Sequence, residues 1–227
     1  MVSRPFHVRA FALAKRIRPL DALFVVLVAW SALAIVEVVW LEIGRETPRS
    51  ASVAVKVPNW KQFADRGYAT GPIDARETLV VFSDFQCPYC QAFAEVVDSV
   101  RARFPGVRVV ERNFPLQSLH PEAYAAALFA ECAKAEGQYA AARAALFGNE
   151  DLLGRGEWSA IAHEAGIRDT ASILQCLKTK RFQRNVELDV RAGALAGVEG
   201  TPTVLLNDSL FGPPPGLDEL IRKFASR

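Results

Sequence analysis

Two of the four cysteines in this 227-residue sequence stand three positions apart, as Cys87-Pro88-Tyr89-Cys90. A pair at that spacing can close a disulfide between its own members and exchange it with other thiols. The exchange needs one sulfur that ionises readily and a second that can attack the first. The local pattern supplies both. Leu79-Val80-Val81-Phe82 reads as a short buried strand just before the pair. From Cys90 to Phe104 an amphipathic stretch carries Ala94, Val97, Val100 and Phe104 on one helical face, and Pro105-Gly106 ends it. Cys87 therefore falls at or near a helix N-terminus, where unpaired N–H groups and the helix dipole favour a thiolate. Pro88 suits the first turn, where a missing N–H costs nothing. Cys90, about one turn on, lies deeper and would resolve a mixed disulfide formed at Cys87.

Other chemistries compete for the same residues. A Cys-x-x-Cys pair is also half of many zinc sites. No second pair and no His cluster accompanies this one, and Cys132 and Cys176 sit singly in helical segments, so no metal is assigned. Delivery of Cu(I) is the rival from another class, but no Met or His beside the motif completes a soft site. A purely structural Cys87–Cys90 bond would close too small a loop to contribute much. A chaperone-like peptide binder would have no need of a reactive pair. Asp84 is read in two ways: as a proton acceptor and pKa modulator for Cys90, or as a strand-end residue bonding turn N–H groups. The second is preferred. His120, before Pro121, reads as a cap or surface residue, and His163 lies within a helix.

The elements that must position this pair can be followed along the chain. Residues 1–21 are basic, with Arg4, Arg9, Lys15, Arg16 and Arg18 ahead of the first acid, Asp21. Residues 22–41 are almost uniformly apolar, and as a helix they would span roughly 30 Å, the thickness of a bilayer core. The basic flank puts the N-terminus in the cytoplasm and the rest of the chain outside, as a single-pass anchor in the cytoplasmic membrane. A cleaved signal peptide ending near Ala32-Leu33-Ala34 is the alternative, and it exports the same domain. Residues 42–57 read as a linker. A short helix follows Pro58, Gly67 and Gly71-Pro72 mark turns, and Val107 to Phe114 is a second strand. Helical segments then run over 121–136, 138–147, 158–165, 170–178 and 181–195, with glycines between them. Thr203 to Leu206 returns to strand, Ser209-Leu210-Phe211 is its hairpin partner, and Leu217 to Ala225 is a last helix. A central sheet covered by helices buries these faces economically. The net charge of +2 is too small to argue for nucleic acid.

Further motifs carry a family resemblance. They are residues 80–90 around the cysteine pair, Asn113-Phe114-Pro115-Leu116, His120-Pro121-Glu122-Ala123, residues 131–137 around Cys132, and residues 197–203 around Thr201-Pro202. Together they resemble the DsbA-like branch of the thioredoxin family, and more narrowly its membrane-anchored bacterial members, over 58–227. The resemblance implies a thioredoxin-like α/β fold with a helical insertion at about 117–196, behind the one transmembrane helix. It implies catalysis by Cys87 and Cys90 without a cofactor, and a cis-proline at Pro202 facing them. Substrate would lie against Pro88, Tyr89, Thr201 and Pro202, pairing with the backbone of Thr201 by strand addition. Cys132 and Cys176 would form a second, structural disulfide, the alternative being two buried reduced thiols packed as small hydrophobes. The implied partners are exported proteins with thiols or disulfides and a membrane redox protein that recycles the pair. One departure bears on direction. The best-known oxidase has His where this chain has Tyr89, and Cys-Pro-Tyr-Cys is also the glutaredoxin motif, at about −200 to −230 mV against about −120 mV for DsbA. Oxidation of exported proteins is the first reading, with reduction or isomerisation behind it.

Overall fold

The computed structural model describes residues 19–43 and 54–225, with some side chains of the first segment outside that description. Two compact units result, residues 1–49 and 50–227.

In the first unit, helix α1 runs Pro19–Ile43. The apolar run expected to cross a membrane lies within it. Among the described residues, no helix is long and apolar enough to cross a membrane. The basic residues 1–18 lie outside the described residues.

In the second unit, β3 (Thr78–Ser83), α2 (Pro88–Arg103) and β4 (Arg108–Asn113) form a strand–helix–strand crossover whose two strands pair in parallel. On the other side of β3 lies the hairpin β5 (Thr203–Leu206) and β6 (Ser209–Phe211), with β5 antiparallel to β3. Two short strands complete the sheet, β1 (Ala54–Lys56) beside β6 and β2 (Tyr68–Thr70) beside β4, in the order β1-β6-β5-β3-β4-β2.

Side chains alternate across a strand, and here the alternation divides the core. Leu79 and Val81 pack with Phe93, Val97 and Val100 of α2 and with Leu220 of α9 (Leu217–Ala225). Val80 and Phe82 face the opposite way, toward Ala196, Val198, Leu205 and the Phe63 of a 3-10 turn at Trp60–Phe63. Between β4 and β5 the chain inserts α3 (Ala123–Ala135), α4 (Tyr139–Gly148), α5 (Glu150–Gly154), α6 (Trp158–Glu164), α7 (Thr170–Lys178) and α8 (Gln183–Ala196). Phe129, Leu146, Leu153, Ile161 and Ile173 make this insertion's own core, which extends to Phe85, Cys87 and Cys90.

Three details differ from the pattern read along the sequence. The stretch read as linker to residue 57 contributes β1, an exposed edge strand whose backbone is satisfied by β6. Between the glycines read as turns lies β2, too short to show an alternation. Those glycines are still required: Gly67 and Gly71 have φ of +110° and +82°, and a Cβ on either would strike a β4-side carbonyl, of Glu111 or of Val107. Residues 150–154 form α5, a single turn without a periodic signal.

Buried charge ties the insertion to the sheet. Arg112 of β4 pairs with Asp189 of α8 (Nη2–Oδ1 2.7 Å), and Asn113 bonds both Asp189 and Glu131. Burial pushes the Asp189 carboxyl up, and the Arg112 guanidinium opposes that shift. On the other face of β4, Arg143 of α4 bonds Glu111 (Nε–Oε1 2.6 Å) and, on α2, Asp98 (Nη1–Oδ2 3.0 Å).

Candidate active site

Cys87 is the N-cap of α2, with φ −80° and ψ 119°, and Pro88 is the first helical residue. The Cys87 carbonyl accepts the first helical bonds, from Cys90 N at 2.9 Å and Gln91 N at 3.1 Å. This is the strand–turn–helix join that the spacing implied, and it leaves N–H groups of the first turn directed at the Cys87 sulfur. Both cysteines are reduced and buried, Cys87 at 4% and Cys90 at 1% exposure, while Tyr89 between them is 75% exposed. The pair therefore sits just beneath a surface marked by an aromatic ring.

The two thiols are unequal. The Cys90 thiol, as hydrogen-bond donor, holds the Cys87 pKa down to about 5. Burial works against this, and the N–H groups of Cys90 and Tyr89 assist it. Cys90 is pushed far up, first by burial and then by its bond to Cys87, with the Asp84 N–H opposing. At neutral pH the dithiol thus holds one thiolate, on Cys87.

Thr201 and Pro202, just ahead of β5, close the site beside Cys87. The Thr201–Pro202 bond is cis, and the Cys87 thiol faces the Thr201 carbonyl at 3.4 Å (Sγ···O). That contact belongs to the protonated thiol, since a thiolate has no proton to donate. Pro202 is buried where β5 begins.

Asp84 lies at the end of β3, 1% exposed. Its Oδ1 accepts from Gln86 N at 2.8 Å, the turn bond expected of a strand-end Asp. Its Oδ2 accepts from Leu116 N at 2.8 Å and faces His120 Nδ1 at 2.8 Å. None of these partners is the Cys90 thiol; Asp84 reaches that sulfur through its own N–H, at 3.4 Å. The reading of His120 as a cap or surface residue is corrected. Glu122 caps α3, and the His120 ring is drawn in by the buried carboxylate. Gln86 and Gln91 also went unnoticed: Gln86 Oε1 accepts from Glu122 N at 2.7 Å, and Gln91 Nε2 donates to the Phe147 carbonyl at 2.6 Å. Their partners are far off in sequence, so spacing held no signal for them.

Cys132 on α3 and Cys176 on α7 are joined by a disulfide, with their Cα atoms 6.0 Å apart. Among the described residues no group of three or more His, Cys, Asp or Glu could hold a metal ion.

Residues 64–223 match the family model described as Thioredoxin. The chain belongs to the thioredoxin family. Its fold is the DsbA-like form. This thioredoxin-family chain is similar to a thioredoxin-like oxidoreductase from Silicibacter pomeroyi, at 26% identity and TM-score 0.61 over 74% of this chain and 96% of that one. It shares its fold with Chlamydia trachomatis DsbA, at 18% identity and TM-score 0.60 over 70% and 88%. A different kind of relative is the Na(+)/H(+) antiporter NhaA 3 of Salinispora tropica, 31% identical over 156 residues, 69% of this chain and 24% of that protein. The chain thus spans about a quarter of the length of the curated relatives it matches.

Proposed function

We propose that Cys87 and Cys90 are a catalytic dithiol that oxidises exported proteins. The enzyme is a thiol–disulfide oxidoreductase of the DsbA type. A substrate thiolate attacks Cys87 Sγ of the Cys87–Cys90 disulfide, and Cys90 leaves with the electron pair and takes up a proton. A second substrate thiolate then attacks the substrate sulfur of the mixed disulfide. Cys87 departs as a thiolate, and two electrons have moved to the dithiol. Pro88, Tyr89, Thr201 and Pro202 hold the substrate segment, with the Thr201 backbone as its strand partner.

The observation that carries the oxidising direction is the inequality of the two sulfurs. A Cys87 pKa held down to about 5 stabilises the reduced form at neutral pH by roughly 3 kcal/mol. That shifts the pair in the oxidising direction, by some tens of millivolts in order of magnitude. A stabilised reduced form is what makes DsbA a strong oxidant.

Anchoring in the membrane is part of the proposal. It rests on the apolar run at 22–41 of the sequence, along which Leu23, Phe24, Leu27, Trp30, Leu33 and Ile35 are exposed. The curated relatives that match are Na(+)/H(+) antiporters by name; that activity is not carried over, because three-quarters of their length is not shared.

The deciding experiment is the equilibrium potential of the Cys87–Cys90 pair in glutathione buffers. A value approaching about −120 mV supports oxidation, and one near or below thioredoxin's, about −270 mV, makes the protein a reductase.

A further inference from the structure

A single buried side chain ties the turn that carries the dithiol to the insertion. The Asp84 carboxylate holds Gln86 N with one oxygen and Leu116 N with the other, and among the described residues its side-chain partner is His120. The His120 side chain is 21% exposed, whereas that of Asp84 is fully enclosed. The N–H of that same Asp84 is the donor on Cys90 Sγ. One residue thus links the His120 ring to a hydrogen-bond donor on the buried sulfur.

When the Cys87–Cys90 bond opens, its electron pair goes to Cys90 Sγ, 1% exposed and already held against ionisation by burial. The Asp84 N–H favours that departure. A proton on His120 Nδ1, donated to Oδ2, fixes the orientation of Asp84 and with it the direction of that N–H.

We propose that His120 is a positioning residue for the exchange reaction, acting through Asp84 on Cys90: by holding the Asp84 carboxylate it keeps the Asp84 N–H on Cys90 Sγ, so that Cys90 can leave and return. The inference rests on Cys87 and Cys90 being the working dithiol. In the closing step the Cys90 thiolate attacks Cys87 Sγ of a mixed disulfide with glutathione. The Cys87–glutathione bond breaks, the Cys87–Cys90 bond forms, and glutathione leaves as a thiolate that is protonated from solvent. Cys87 acting alone as nucleophile makes no demand on His120.

The test uses the full chain in rapid-mixing experiments with glutathione disulfide. Closure of the Cys87–Cys90 bond is followed in the parent, His120→Leu and His120→Gln. Attack by Cys87 alone is followed in the same variants carrying Cys90→Ala. His120→Leu is expected to slow closure by about tenfold, and His120→Gln, which keeps an N–H donor, to recover most of that loss. Attack by Cys87 should be the same in all three Cys90→Ala proteins. His120→Asn, polar but shorter, provides a second variant if the leucine protein folds poorly, with closure expected to slow several-fold. Unchanged closure overturns the proposal, and so does an equal fall in closure and in Cys87 attack, which would mark a merely structural role. If the parent itself forms no Cys87–Cys90 disulfide, the dithiol reading fails and this inference with it.

Discussion

Removing the Cys90 thiol should raise the pKa of Cys87, because that thiol is the largest influence holding it down. A hydrogen bond to a charged acceptor contributes about 1.5–3 kcal/mol, and one pKa unit corresponds to about 1.36 kcal/mol. Cys90→Ala should therefore move Cys87 from about 5 up by about one to two units, leaving the helix-start N–H groups to hold it below an ordinary thiol. At pH 6 the thiolate fraction would fall from about nine-tenths to about one-quarter for a shift midway in that range. The assay is the ultraviolet absorbance of the thiolate across pH, paired with the rate of alkylation by iodoacetamide. In the parent only Cys87 ionises over this range, since Cys90 is pushed far up, so the two titrations compare directly. A midpoint in Cys90→Ala within about half a unit of the parent's would refute the assignment. The low pKa would then have to come from the helix N-terminus alone, without help from the second sulfur.

Three further outcomes are expected. Because the folded Cys87 pKa of about 5 lies below the ordinary 9.0, its stabilisation of the reduced protein is complete above pH 9 and is lost as pH falls through 5. The stability gap, reduced minus oxidised, should thus grow by up to about 1.4 kcal/mol per pH unit within that window; urea unfolding of both forms at several pH values checks it, and a flat gap contradicts it. Replacing Cys132 and Cys176 together by Ala should cost about 4 kcal/mol on a chain-entropy estimate for their separation of 44 residues, while exchange at Cys87 survives. Denaturant titration and a glutathione assay on the same sample separate the two effects. In Gly193→Ala the new Cβ would meet the Phe114 ring at 2.5 Å and the Phe82 ring at 3.2 Å, so a loss of about 1–3 kcal/mol is expected in thermal unfolding. No change would mean that the Phe114 ring moves aside freely.

Much of this protein was legible in one dimension because its chemistry is local. The spacing of Cys87 and Cys90, the buried run of β3 before them and the apolar stripe of α2 after them all lie within a few turns of chain. A helix start needs nothing distant to present its N–H groups. The long helices of the insertion announced themselves by periodicity, whereas β1, β2 and α5 are too short to carry one and exist because neighbours complete their hydrogen bonds or cover them. Tertiary structure alone decided what surrounds the dithiol. Asp84 had two readings as a residue in a row. Only the fold brought Leu116 and His120 onto its carboxylate and directed its N–H at Cys90, across separations of 32, 36 and 6 residues. Arg112 found Asp189 across 77 residues in the same way. A buried charge must be paired wherever the packing happens to supply a partner, and no spacing along the chain records which partner that is.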